Sequence, residues 1–140
     1  MFDTVLIAGL GLMGGSMAKT IKARTLSRVL GWNRTRATAE QALADGSIDA
    51  IATEALYKEA DLVIIGLYPQ ATVDWLLENM PKMKKGCVIV DMVGVKQFMV
   101  DHLEQAALDA GVHYVGGHPM AGREFSGLDF ALSTLFDGAS

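Results

Sequence analysis

The stretch Val5-Leu6-Ile7-Ala8-Gly9-Leu10-Gly11-Leu12-Met13-Gly14 decides the fold. Four apolar residues in a row read as a strand buried on both faces. They run straight into the spacing G-x-G-x-x-G, and beyond it Met13, Met17 and Ile21 recur at helical intervals to about Arg24. In a strand–turn–helix unit each glycine has its own task. Gly9 permits the tight turn, Gly11 lets a ligand approach backbone that carries no Cβ, and Gly14 lets the helix pack close to the strand. The free N–H groups of the first helical turn, with a macrodipole worth about half a positive charge, then favour an anion. The anion this spacing points to is the pyrophosphate of a dinucleotide, with Gly9, Gly11, Leu12, Met13 and Gly14 as its expected contacts.

Outward from that unit, apolar runs alternate with amphipathic segments. Val29–Trp32 reads as a second strand, followed by a helix from Thr35 to about Leu43, and Ile48–Ile51 as a short third strand. Leu62–Leu67 is the clearest buried strand; Pro69 stops it, and Thr72–Met80 reads as helix. Val88–Val90 forms a fifth strand, Gln97–Ala110 a helix and Val112–Val115 a sixth strand. Alternation of this kind with short connections predicts an α/β fold, a Rossmann-type doubly wound parallel sheet with helices on both faces. The expected organisation is a single NAD(P)-binding domain over residues 1–140, with no repeat and no linker.

Composition narrows the function. With 140 residues the chain fills one domain, and 51% hydrophobic against 20% charged residues make it globular. A net charge of −4 offers no general attraction to nucleic acid or to an anionic membrane, so an anionic ligand must be held by local dipoles and a few placed cations. The single cysteine, Cys87, excludes an internal disulfide and a cysteine-based metal cluster, and its apolar surroundings mark it as a core residue. No metal is expected. The N-terminus lacks the basic region of a signal peptide, and no apolar run approaches the ~20 residues that span a bilayer, so a cytoplasmic setting is the expectation.

The second strand ends Trp32-Asn33-Arg34-Thr35-Arg36. NAD sites usually place a carboxylate here for the ribose 2′-hydroxyl. Asn33 does not repel a 2′-phosphate, Arg34 can pair with one, and Thr35 offers a hydroxyl, an arrangement that favours NADP over NAD. The bland alternative is that Arg34 and Arg36 are solvated charges at a helix start. Further along, three segments follow strands at their carboxyl ends, where such sheets bind ligands. They are Leu67-Tyr68-Pro69, Asp91–Lys96 and Gly116–Gly122. Tyr68 and Pro69 are candidate cofactor contacts. His118, flanked by glycines and a proline, is the best candidate base among the three histidines, since an imidazole with a pKa near 6.5 takes a proton from a substrate hydroxyl as hydride leaves. His102 and His113 read as structural or exposed.

The segment Gly116-Gly117-His118-Pro119-Met120-Ala121-Gly122-Arg123-Glu124-Phe125-Ser126-Gly127 resembles the signature of the prephenate/arogenate dehydrogenases of tyrosine biosynthesis. The G-L-G-L-M-G-G-S turn and the D-x-x-x-V-K segment at Asp91–Lys96 resemble that family too. The resemblance implies oxidation of prephenate or arogenate with loss of CO₂. It assigns His118 the role of base on the ring hydroxyl, Glu124 the ordering of the substrate pocket and Lys96 a positioning role. Many members carry a serine where this chain has Gly94. Family members continue into a helical domain that dimerises and completes the substrate pocket, so the full-length protein is expected to be a homodimer and this chain, ending at Ser140, a C-terminally shortened and poor catalyst. Two other readings remain open at this point. One is an NADP-dependent dehydrogenase of the β-hydroxyacid type, which shares the Asn33-Arg34-Thr35 pattern but not the His118 segment. The other is a non-catalytic dinucleotide-binding module.

Overall fold

The computed structural model describes residues 2–92 and 94–115. Its strands are β1 (Thr4–Ala8), β2 (Arg28–Trp32), β3 (Ala50–Ile51), β4 (Leu62–Ile65), β5 (Val88–Asp91) and β6 (His113–Val115). The helices among the described residues are α1 (Leu12–Arg24), α2 (Arg36–Ala44), α3 (Glu54–Tyr57), α4 (Pro69–Asn79) and α5 (Gln97–Ala110), with a 3-10 turn at Met80–Lys82. All strand pairs are parallel, in the order β3-β2-β1-β4-β5-β6. This is the doubly wound order expected from the alternating pattern.

The central strands explain why the sheet forms. Side chains alternate across a strand, so β1 sends Val5 and Ile7 to one face and Leu6 and Ala8 to the other. Val5 and Ile7 join Met17 and Ile21 of α1 and Ala39 and Ala42 of α2 in one core. Leu6 and Ala8 join Tyr57, Trp75, Leu76 and Leu103, beneath α3, α4 and α5, in the other. A fully buried leucine or isoleucine contributes roughly 1.5–3 kcal/mol, so β1 and β4, closed to solvent on both faces, hold the two layers together. Trp75 lies between Trp32 at 5.7 Å and Tyr57 at 5.6 Å between ring centroids, within the range of favourable tilted packing. Cys87 is a core residue, as expected, and burial pushes its thiol up to about 12.

Besides β3, which covers only Ala50–Ile51 of the expected Ile48–Ile51, three elements differ from the sequence reading. The helix α3 falls where no helix was read; at four residues it is too short for periodicity to register, and the burial of Tyr57 holds it. Pro69 does not merely end a strand but opens α4 at its first position, where the missing N–H costs nothing, so the helix starts before Thr72. The strand β4 ends at Ile65 rather than Leu67, because Gly66 and Leu67 turn out into the loop.

The amino ends of the strands are tied by carboxylates. Asp61 accepts the Asp3 N–H at 3.1 Å and the Thr4 N–H at 3.0 Å, and pairs with Lys84. Asp49 accepts the Val29 N–H at 2.8 Å and the Lys22 ammonium at 2.5 Å. Burial pushes both carboxyls up, but the lysines and the amide donors outweigh it and hold both below the usual carboxylate range. A group whose pKa is lower when folded stabilises the fold above its unfolded pKa, and that contribution disappears as pH falls through the folded one. Stability should therefore drop as pH falls below about 4, and Asp61→Asn should flatten part of that drop in denaturant melts across pH 2–6. An unchanged acid limb in Asp61→Asn would contradict this role.

Candidate dinucleotide site

The sheet order reverses between β1 and β4, and the carboxyl ends of the strands beside such a reversal are the usual ligand crevice of sheets of this kind. The glycine turn forms its floor. Gly9 has φ +96°, and a Cβ there would stand 2.8 Å from the Gly66 carbonyl oxygen. A Cβ on Gly14 would lie 1.7 Å from the Gly9 carbonyl oxygen, so only glycine lets α1 approach β1 this closely. Gly11 is different. Its φ is −69°, and a Cβ there would meet nothing within 4 Å. Neither backbone strain nor internal packing asks for glycine at Gly11. The space beside it belongs to whatever approaches from outside.

That position also caps α1. Gly11 is the N-cap and supplies no side-chain acceptor, and no acidic residue lies in the first turn. The first N–H groups of a helix have no partner within it, and a carboxylate nearby would compete with an anionic ligand. Backbone donors without a capping side chain, a helix dipole pointing into the crevice and a bare glycine together fit a diphosphate. Beside the turn a groove of about 450 Å³ runs between α1 and α2, lined by Leu10, Gly11, Gly15, Ser16, Ala37 and Thr38 among others. The groove joins the glycine turn to the first turn of α2, just past Arg34 and Thr35.

Arg34 and Thr35 are exposed, and no ion pair involves Arg34 among the described residues. Arg36 instead pairs loosely with Glu40 at 3.6 Å. Asn33 is engaged: its carboxamide oxygen accepts the Leu10 N–H at 2.8 Å and its amide donates to the Thr35 carbonyl at 3.0 Å. The residue treated from sequence as a neutral substitute for a carboxylate is thus a bridge between the two loops. Tyr68, 86% exposed, is the N-cap of α4 and is followed directly by Pro69, so both stand at the carboxyl end of β4.

On the other side of the crevice, Asp91 ends β5 fully buried. It accepts the Gly94 N–H at 3.0 Å and the Tyr114 hydroxyl at 3.2 Å, tying the loop that carries Lys96 to β6. Burial first, and the Asp91 carboxylate next, push the Tyr114 hydroxyl up, so it stays protonated and donates. The sequence did not single out Asp91 or Tyr114 for this contact; a separation of 23 residues leaves no local signal. Lys96 is exposed at the start of α5. His102 and His113 are exposed. His118 and Glu124 lie outside the described residues, as does the rest of the segment that carries the family resemblance. No helix among the described residues is long and apolar enough to cross a membrane.

Residues 17–140 match the family described as "Prephenate dehydrogenase, nucleotide-binding domain". The chain belongs to the prephenate dehydrogenase family. The match runs through the His118 segment, which the β-hydroxyacid-type alternative does not explain. The prephenate dehydrogenase of Bacillus subtilis (strain 168) is 38% identical over 143 aligned residues, which span 99% of this chain and 38% of that protein. The prephenate dehydrogenase of Lactococcus lactis subsp. cremoris is 31% identical, over 96% of this chain and 39% of its own length. The chain therefore spans about two-fifths of these relatives. Among solved structures, prephenate dehydrogenase from A. aeolicus, in complex with hydroxyphenyl propionate and NAD+, superposes with a TM-score of 0.76 at 26% identity, covering 89% of this chain and 44% of that one.

The two glycines make opposite predictions. Gly14→Ala should cost roughly 1–3 kcal/mol or more, because the added methyl meets backbone. Gly11→Ala should cost within about 1 kcal/mol, since it changes only an N-cap, yet weaken dinucleotide binding at least tenfold. Thermal melts and a binding titration on both variants check this; similar melting losses for the two would contradict it.

Proposed function

We propose that this chain is the NAD(P)-binding part of a prephenate or arogenate dehydrogenase, an enzyme that oxidises its substrate by hydride transfer with loss of CO₂. The observation that carries the reading is Gly11, whose glycine has no internal cause and which caps a helix bare of acidic groups at the β1–β4 crevice. Membership of the family and the NAD+ bound to the A. aeolicus relative support the same cofactor class here.

Between the two forms of the cofactor, the residues favour NADP. No carboxylate stands at the end of β2 to accept from a ribose hydroxyl, and Asn33 is already bonded at both ends of its amide. Arg34 is exposed in the loop just before α2, whose first turn lines the groove that leaves the glycine turn, with Thr35 adjacent, and a guanidinium pairs well with a 2′-phosphate. The expected outcome is that Arg34→Ala weakens NADP+ binding by about ten- to a hundredfold and leaves NAD+ binding near wild type. Equal losses in a titration with each cofactor would remove the NADP assignment.

The bound nicotinamide supplies the hydride acceptor. His118 takes the proton from the substrate's ring hydroxyl, so that charge does not build on the carbinol oxygen as hydride departs, and aromatisation with release of CO₂ drives the reaction forward. Glu124 orders the substrate pocket and Lys96 positions the loop after β5. That loop, anchored by Asp91, has Gly94 where many family members carry a serine, and so lacks one hydroxyl donor to the histidine. The relatives extend well beyond the length this chain matches, and the family resemblance implies that the whole protein has a further domain that dimerises and completes the substrate site. In the full-length protein His118→Asn should lower kcat by about 10²–10⁴ with cofactor affinity little changed. Steady-state kinetics with prephenate and with arogenate check this, and an unchanged kcat would remove His118 from the chemistry.

A further inference from the structure

The ladder between β1 and β2 does not stop where the strands do. Its last backbone rung pairs Ala8 with Trp32, and the Gly9 N–H then donates to the Trp32 carbonyl at 2.7 Å. The next rung has no backbone acceptor; the side-chain oxygen of Asn33 takes the Leu10 N–H at 2.8 Å. The same carboxamide donates through Nδ2 to the Thr35 carbonyl at 3.0 Å. One side chain thus fixes the first half of the glycine turn and the loop that carries Arg34.

We propose that Asn33 is a positioning residue that sets the geometry of the glycine turn, and through it the binding of both forms of the dinucleotide. The inference rests on the cofactor reading given above. Leu10 is nearly closed to solvent, so its N–H needs an internal acceptor. Asn33 supplies one and directs that donor toward β2. The donors left for a diphosphate begin at Gly11, beside the open space where a Cβ would meet nothing. Binding then finds the turn already ordered, which lowers the entropy lost on association.

The residue type follows from both bonds. Aspartate at this position keeps an acceptor for Leu10 but turns its second oxygen onto the Thr35 carbonyl, acceptor against acceptor. Alanine loses both contacts. The amide satisfies a donor on one side and an acceptor on the other. The carboxylate found in NAD sites therefore cannot be placed here without releasing the Arg34 loop.

The test compares the chain with Asn33→Ala and Asn33→Asp, below their melting temperatures, by calorimetric titration with NAD+ and NADP+ and by amide hydrogen exchange at Leu10. Asn33→Ala should weaken both cofactors, NAD+ by roughly three- to tenfold and NADP+ by at least as much because the Arg34 loop is released as well, and speed Leu10 exchange. Asn33→Asp should keep Leu10 exchange slow and recover NAD+ binding relative to alanine, while its charge keeps NADP+ binding weak. A merely structural residue would lower the melting temperature of both variants without this recovery. The proposal is overturned if Asn33→Ala affects NADP+ alone, leaves both affinities at the wild-type level, or leaves Leu10 exchange unchanged. If the unsubstituted chain binds neither dinucleotide, the cofactor reading fails, and this role fails with it. Wild-type binding with unaffected variants sinks this role alone.

Discussion

Everything in this molecule turns on how closely α1 approaches β1. A side chain at Gly14 would overlap the Gly9 carbonyl oxygen at 1.7 Å, so the helix can begin where it does only because that position is bare. The close start aims the α1 axis at the crevice between β1 and β4, and it leaves the first helical N–H groups at the sheet's carboxyl edge without a capping side chain. The same contact closes the core that contains Met17 and Ile21 beneath the strand. One steric constraint therefore serves both packing and the proposed ligand site. Gly11, two residues after Gly9, has no packing duty, since a Cβ there would meet nothing within 4 Å.

The two ends of the sheet are built by different physics. At the amino ends, Asp61 and Asp49 gather backbone donors and lysines into partly exposed clusters that stabilise the fold. At the carboxyl ends the contacts position rather than seal. Asn33 joins two loops, Asp91 and Tyr114 join two others, and between them Arg34, Thr35, Tyr68 and Lys96 are left exposed. The proposed site lies on the end whose polar groups are held in place but not all used up.

The sheet was legible because its strands are short apolar runs and its helices periodic, and the glycine spacing by itself marks the turn. Membership of the prephenate dehydrogenase family was legible in a short polar segment around His118. What stayed hidden depends on contacts between distant residues. An asparagine at the end of β2 looks like the absence of a carboxylate, and nothing near it in the chain says that its oxygen belongs to Leu10, 23 residues earlier. The Asp91–Tyr114 contact is hidden in the same way. Pro69 was misjudged for another reason: the same ring that breaks a strand is pre-organised for the first turn of a helix.

The central claim is that the glycine turn holds the diphosphate of a nicotinamide dinucleotide. Its most direct test is to follow the backbone amide resonances of the chain during titration with NADP+. The account predicts saturable shifts at Gly11, Leu12, Met13 and Arg34, with Asp61 and Lys84 at the opposite end of the sheet unmoved. Saturation with the turn unmoved, or no saturation at all, would contradict it.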